Sequence, residues 1–140
     1  MSCKSAIYVE NTSSFSAAFV AGSLVQTVPL GSTMRRFGNC VRQTGNGVRI
    51  GDGYYEVVAS VTVQGTTAGT YQVQLLNDGV AVPGATGTLT LTAAGFGVVS
   101  FPAIVRNCGQ CCSSTLTLAI SGAAATTANV VNVAMTVERL

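Results

Sequence analysis

The sequence predicts an all-β domain, a two-sheet antiparallel jelly-roll sandwich of about nine or ten strands, on three observations. Valine and threonine dominate while helix-period apolar stripes are absent. Gly, Asn and Asp punctuate the chain about every ten residues. Several segments alternate apolar and polar side chains with a period of two, as a half-buried strand does. At 140 residues the chain is one domain, 1–140, with length for a single core and none for a second.

In chain order, short strands are expected near residues 5–10 and 24–28, followed by a hairpin over Asn46-Gly47 that leads into Val48 and Ile50. Between residues 56 and 63, Val57, Ala59, Val61 and Val63 alternate with Glu56, Val58, Ser60 and Thr62. Tyr71, Val73 and Leu75 alternate with Gln72 and Gln74, and Asn77-Asp78-Gly79 turns the chain, because these residues tolerate left-handed backbone. Residues 80–82 return and Pro83-Gly84 ends that strand. Leu89 and Leu91 face away from Thr88, Thr90 and Thr92. Residues 96–105 form a long apolar strand, covered on both faces or lying at an interface. Leu116, Leu118 and Ile120 then alternate with Thr115, Thr117 and Ala119, and the last strand, residues 129–139, sets Val131, Val133, Met135 and Val137 on one face.

Composition narrows the function. Hydrophobic residues are 48% and charged residues 9%, against about 25% in ordinary globular chains. Histidine is absent and acidic residues number 5, which removes most acid–base, carboxylate-metal and nucleophile-activation schemes, so no catalytic residue is expected. A net charge of +2 is too small for a nucleic-acid footprint, and no nucleic-acid partner is expected. Nor is a membrane partner: residues 95–105 are too short for a helical span and are broken by Ser100 and Pro102. The stretch 15–25 makes a poor signal core, with Lys4 the one upstream cation and Glu10 between them. Synthesis in the cytoplasm is expected. Of 7 basic residues, only Lys4 is a lysine; an arginine-biased set suits protein interfaces, where the planar guanidinium bonds as a fork. The glycines of Thr44-Gly45-Asn46-Gly47 and Gly51-Asp52-Gly53 open no helix and are read as turns.

Gly53-Tyr54-Tyr55, followed by the alternating Val57, Ala59, Val61 and Val63, resembles the central Gly-x-Tyr motif of the jelly-roll family of tumour necrosis factor-like ligands and complement globular heads. Val48-Arg49-Ile50 resembles the short strand entering that motif, and residues 133–140 resemble the family's terminal strand. The resemblance implies a homotrimer about a threefold axis, with Tyr55, Val57, Phe101 and Met135 at the subunit contact. A head without a collagen or coiled-coil stalk looks more like trimeric bacteriophage proteins. The expected function is therefore a non-enzymatic virion structural protein that decorates the capsid surface and stabilises it, with the major capsid protein as partner. Arg35, Arg36 and Phe37 form the densest basic spot and are the expected docking residues. The alternatives are a receptor- or glycan-binding fibre knob and a bacterial surface or spore-coat trimer.

Cys3, Cys40, Cys108, Cys111 and Cys112 leave three readings open. They are free thiols packed as small hydrophobes, or disulfides formed once a virion leaves the reducing cytoplasm, or a zinc site begun by Cys108-Gly109-Gln110-Cys111. No cofactor is expected, zinc at the cysteine cluster being the exception considered.

Overall fold

A computed structural model describes residues 4–107 and 113–140. Twelve strands make up its regular structure: β1 (Ala6–Asn11), β2 (Phe15–Phe19), β3 (Val25–Thr27), β4 (Ser32–Phe37), β5 (Val41–Thr44), β6 (Gly47–Ile50), β7 (Gly53–Gly65), β8 (Gly69–Asn77), β9 (Val80–Leu91), β10 (Phe96–Asn107), β11 (Ser114–Gly122) and β12 (Thr126–Arg139). One sheet runs β10-β7-β12-β1-β4, with β2 also paired to β12; the other runs β5-β6-β11-β8-β9, with β3 also paired to β11. Every pairing is antiparallel. The all-β sandwich is as expected, with more strands than the nine or ten foreseen.

The core lies between the sheets and follows the alternation. Tyr55, Val57, Ala59, Val61 and Val63 of β7 are fully buried, facing Tyr71, Val73 and Leu75 of β8 and Leu116, Leu118 and Ile120 of β11. Tyr71 ties the sheets together. Its ring packs 6.0 Å from that of Phe19, and its hydroxyl donates to the carbonyls of Thr67 and, across in β12, Thr127 at 3.0 Å. On one side the edge strands β9 and β10 lean together where side chains are small: a Cβ on Gly87 would collide with Val99, and one on Gly97 would lie 2.9 Å from Leu91 Cδ2.

Several expectations change. The β8–β9 hairpin turns on Asp78 (φ 50°) and Gly79 (φ 81°), two positive φ values in a two-residue loop, as a type I′ turn needs. Pro83-Gly84 does not end the strand after it; β9 continues to Leu91 past an irregularity opposite Gln74–Leu76. The β5–β6 turn is Gly45-Asn46 rather than Asn46-Gly47, because Thr44 pairs with Gly47. In β12 a bulge between Val130 and Asn132 takes Val131 off the ladder, so Val130, Val133, Met135 and Val137 face the core and Val131 does not join them.

Candidate interaction surface

β10 is an edge strand, and its inward residues Val99, Phe101 and Val105 are buried. Its outward residues are mostly apolar, with Ser100 and Arg106 the exceptions. Phe96 (64% exposed), Val98 (58%) and Ile104 (63%) stand on that outer face with Pro102. Pro102 is tolerated there because an edge strand leaves one row of amides without a ladder partner. On the neighbouring β7, Val58 pairs with Pro102 and Tyr54 with Arg106, so both add to the same face, and the Arg106 guanidinium lies 5.7 Å from the Tyr54 ring centroid. Ser100 opposite Ser60 divides this face into Phe96 with Val98 on one side and Pro102, Ile104, Val58 and Tyr54 on the other, and large apolar side chains gathered on an exposed face mark an interaction surface. The apolar run of 96–105 is thus explained: half of it serves the core and half the outer face.

This arrangement corrects the expected contact residues. Tyr55, Val57, Phe101 and Met135 are at most 5% exposed within a single chain and cannot meet a neighbour. The physical reason is parity. Tyr55 shares its face with Val57, Ala59, Val61 and Val63, and that face closes the sandwich, whereas Tyr54, Glu56 and Val58 point outward.

The Gly-x-Tyr residues play a structural part. Gly53 has φ 134°, and a Cβ there would sit 2.7 Å from Arg139 Nε, which itself donates to the Asp52 carbonyl at 3.1 Å. Tyr55 reaches the loop before β5, its hydroxyl donating to the Cys40 carbonyl at 3.4 Å. Burial pushes the Tyr55 phenol above its ordinary 10.0, opposed by the nearby Arg139 guanidinium. The folded state thus favours the protonated phenol. Its contribution to stability is full below pH 10.0 and is lost as the pH rises through the higher folded value. Denaturant midpoints of the parent chain are expected to fall faster in that alkaline window than those of Tyr55→Phe; parallel slopes would refute the assignment.

Asn107, one of the few buried polar residues, went unnoticed in the sequence. Its Nδ2 donates to the carbonyls of Ile50 (3.1 Å) and Gly51 (2.8 Å), pinning the end of β10 to the β6–β7 connection. Glu56 and Glu138 were likewise missed as a pair; they stand opposite each other on the outer face of β7 and β12.

Arg35, Arg36 and Phe37 lie on the edge strand β4, whose six residues are all exposed, and not on a loop. Strand alternation puts Arg35 and Phe37 on one face and Arg36 on the other, so the three do not form one patch. Arg35 Nη1 donates to the Met34 carbonyl and Arg36 Nη2 to that of Gly38. Cys40 is disulfide-bonded, which removes it from the free-thiol and zinc readings. Cys3, Cys108, Cys111 and Cys112 lie outside the described residues. Among the described residues, no group of three or more His, Cys, Asp or Glu could hold a metal, and no helix is long and apolar enough to cross a membrane.

No family model and no curated protein sequence matches the chain. Solved structures do. Murine APRIL in a crystal structure at pH 5.0 superposes with a TM-score of 0.70 at 13% identity, covering 98% of this chain and 99% of that one. Eiger TNF from S. frugiperda gives 0.62 at 11% identity, covering 99% and 92%. The PRD1 vertex protein P5 gives 0.64 at 14% identity, covering 97% of this chain and 73% of that one. At such identities the likeness concerns architecture, and the architecture is that of the tumour necrosis factor-like jelly roll shared with complement globular heads.

Proposed function

We propose that this chain is a non-enzymatic structural protein of a bacteriophage virion, a homotrimer that seats on the capsid surface against the major capsid protein and stabilises it. The observation that carries the reading is the outward apolar face of β10 and β7, with Phe96, Val98, Pro102, Ile104, Val58 and Tyr54 exposed in a chain whose charged content is 9%. Such a face is costly in water. Burying apolar area contributes about 25 cal/mol per Å², and a stable interface of roughly 1,600 Å² is the ordinary way to use it. The fold shared with tumour necrosis factor-like heads supports closed self-association, and the likeness to the PRD1 vertex protein supports a place on a virion. In this reading Arg35, which shares a face of β4 with Phe37, serves as the capsid-facing contact, and Arg36 points to the other face.

The same likeness favours a second reading, a knob confined to the vertices that recognises a host receptor or glycan. Copy number separates the two. Quantitative mass spectrometry of purified virions is expected to find the chain in numbers comparable with the capsid lattice; a few copies per vertex would replace decoration with the knob, and absence from virions would remove both.

A further inference from the structure

A second feature, on the opposite sheet and away from the β10 face, points to a small ligand. In the β5–β6 hairpin, Arg42 pairs directly with Arg49, which puts both side chains on the same face of the edge hairpin. Like charges placed directly opposite across a ladder repel and destabilise the pair. Two of the chain's seven basic residues are nevertheless set there. Among the described residues, neither has a carboxylate at ion-pairing distance. The nearby acids are otherwise placed. Asp78 Oδ1 accepts the Thr115 amide at 2.8 Å, and Asp52 lies past Gly51, its carbonyl engaged by Arg139.

The two arginines line one concave site. A cavity of about 230 Å³ is bounded by Arg42, Arg49 and Ser113, with Cys40, Ile50 and Gly51 among its other walls. Arg49 is held in place: its Nε donates to Ser113 Oγ at 2.9 Å, which fixes the guanidinium plane and leaves its Nη groups for another acceptor. Cys40 and Gly51 are also fixed, the Gly51 amide donating to the Cys40 carbonyl at 2.9 Å and Ser5 Oγ accepting the Cys40 amide at 3.0 Å. Two forked cations and a hydroxyl thus line one cavity on a hydrogen-bonded frame, with no carboxylate among the described residues paired to either cation.

We infer that the Arg42–Arg49–Ser113 cavity binds a tetrahedral oxyanion, a sulfate or phosphate group, which bridges the two guanidinium groups and relieves their repulsion. Guanidinium forks match the oxygen spacing of such groups and bond them with charge assistance. A group of this chemistry arrives either as a free ion or as an ester on a larger molecule.

The test titrates the purified chain with sodium sulfate, sodium phosphate and methyl phosphate, with sodium chloride at matched ionic strength as control. Backbone amide shifts of β5 and β6 and the thermal midpoint are followed. Saturable shifts confined to these strands are expected, with a dissociation constant of about 1 mM. A rise in Tm of about 3–5 °C is expected at ten times that concentration. Methyl phosphate binding like phosphate identifies an esterified group as acceptable, and its rejection identifies the free ion. Arg42→Gln, which removes an exposed charge without opening the core, is expected to weaken binding at least about tenfold while raising the anion-free Tm. A response to chloride equal to that to sulfate, or unchanged binding by both Arg42→Gln and Arg49→Gln, overturns the inference.

Discussion

Ile104→Asp is expected to yield a folded monomer at concentrations where the parent chain forms the proposed trimer. Ile104 is 63% exposed in the single chain, so a carboxylate there costs the isolated fold little. In an assembly that buries the β10 face, the same carboxylate is desolvated at every copy of the contact. Glu56, opposite it in the ladder of the same chain, repels it only weakly while both are in water, and a contact that buried them would have to desolvate two carboxylates. A penalty of about 3 kcal/mol per contact weakens association by roughly a hundredfold each time. Sedimentation velocity checks the mass and circular dichroism checks the fold. Met135→Asp is the contrasting change: Met135 is 1% exposed inside the sandwich, and the variant is expected to fail to fold whatever its oligomeric state. A trimeric Ile104→Asp would show that some other surface carries the assembly.

Tyr71→Ala is expected to produce the largest loss of stability among single side-chain truncations. The ring is fully buried against Phe19, so its removal leaves a cavity between the sheets, worth about 3–5 kcal/mol in comparable cores. The hydroxyl adds a second loss, since its one proton is shared between carbonyls from two separate segments, Thr67 and Thr127. Tyr71→Phe isolates that part and is expected to cost about 1 kcal/mol, because the Thr67 carbonyl loses the hydroxyl while that of Thr127 keeps the Thr67 amide at 3.0 Å. Against a total stability of about 5–15 kcal/mol, the alanine variant lies near the threshold of folding. Urea midpoints measure both. Equal losses for Phe and Ala would mean that the hydroxyl, and not the ring, joins the sheets.

Legibility in the sequence followed the exposure of each strand. β7, β8 and β11 each bury one face and leave the other outside, so Val57 to Val63, Tyr71 to Leu75 and Leu116 to Ile120 declared themselves by alternation. β4 was opaque because all of Ser32–Phe37 is exposed and no inside residue marks its period. The contact residues were misplaced where resemblance was followed over parity. The phase that put Val57 in the core put Tyr55 there too, and Tyr54 with Val58 was left as the outward set. The Arg42–Arg49 pair lies within one hairpin and was missed because a turn over Asn46-Gly47 sets Thr44, not Arg42, opposite Arg49. The Glu56–Glu138 pair was beyond reading, since register between strands distant in sequence decides it. Asn107 was hidden for a related reason, its acceptors lying more than fifty residues earlier in the chain.

The bulge in β12 makes that strand unequal along its length toward deletions. Removing one residue elsewhere in an alternating strand exchanges inside for outside from that point on. Val131 is the exception, because the ladder passes from Val130 opposite Val63 to Asn132 opposite Thr62 without it. A chain lacking Val131 would still bring Val133, Met135 and Val137 to the core. The longest strand of the domain thus carries one residue's worth of slack, at the place where evolution can lengthen or shorten it without inverting its faces.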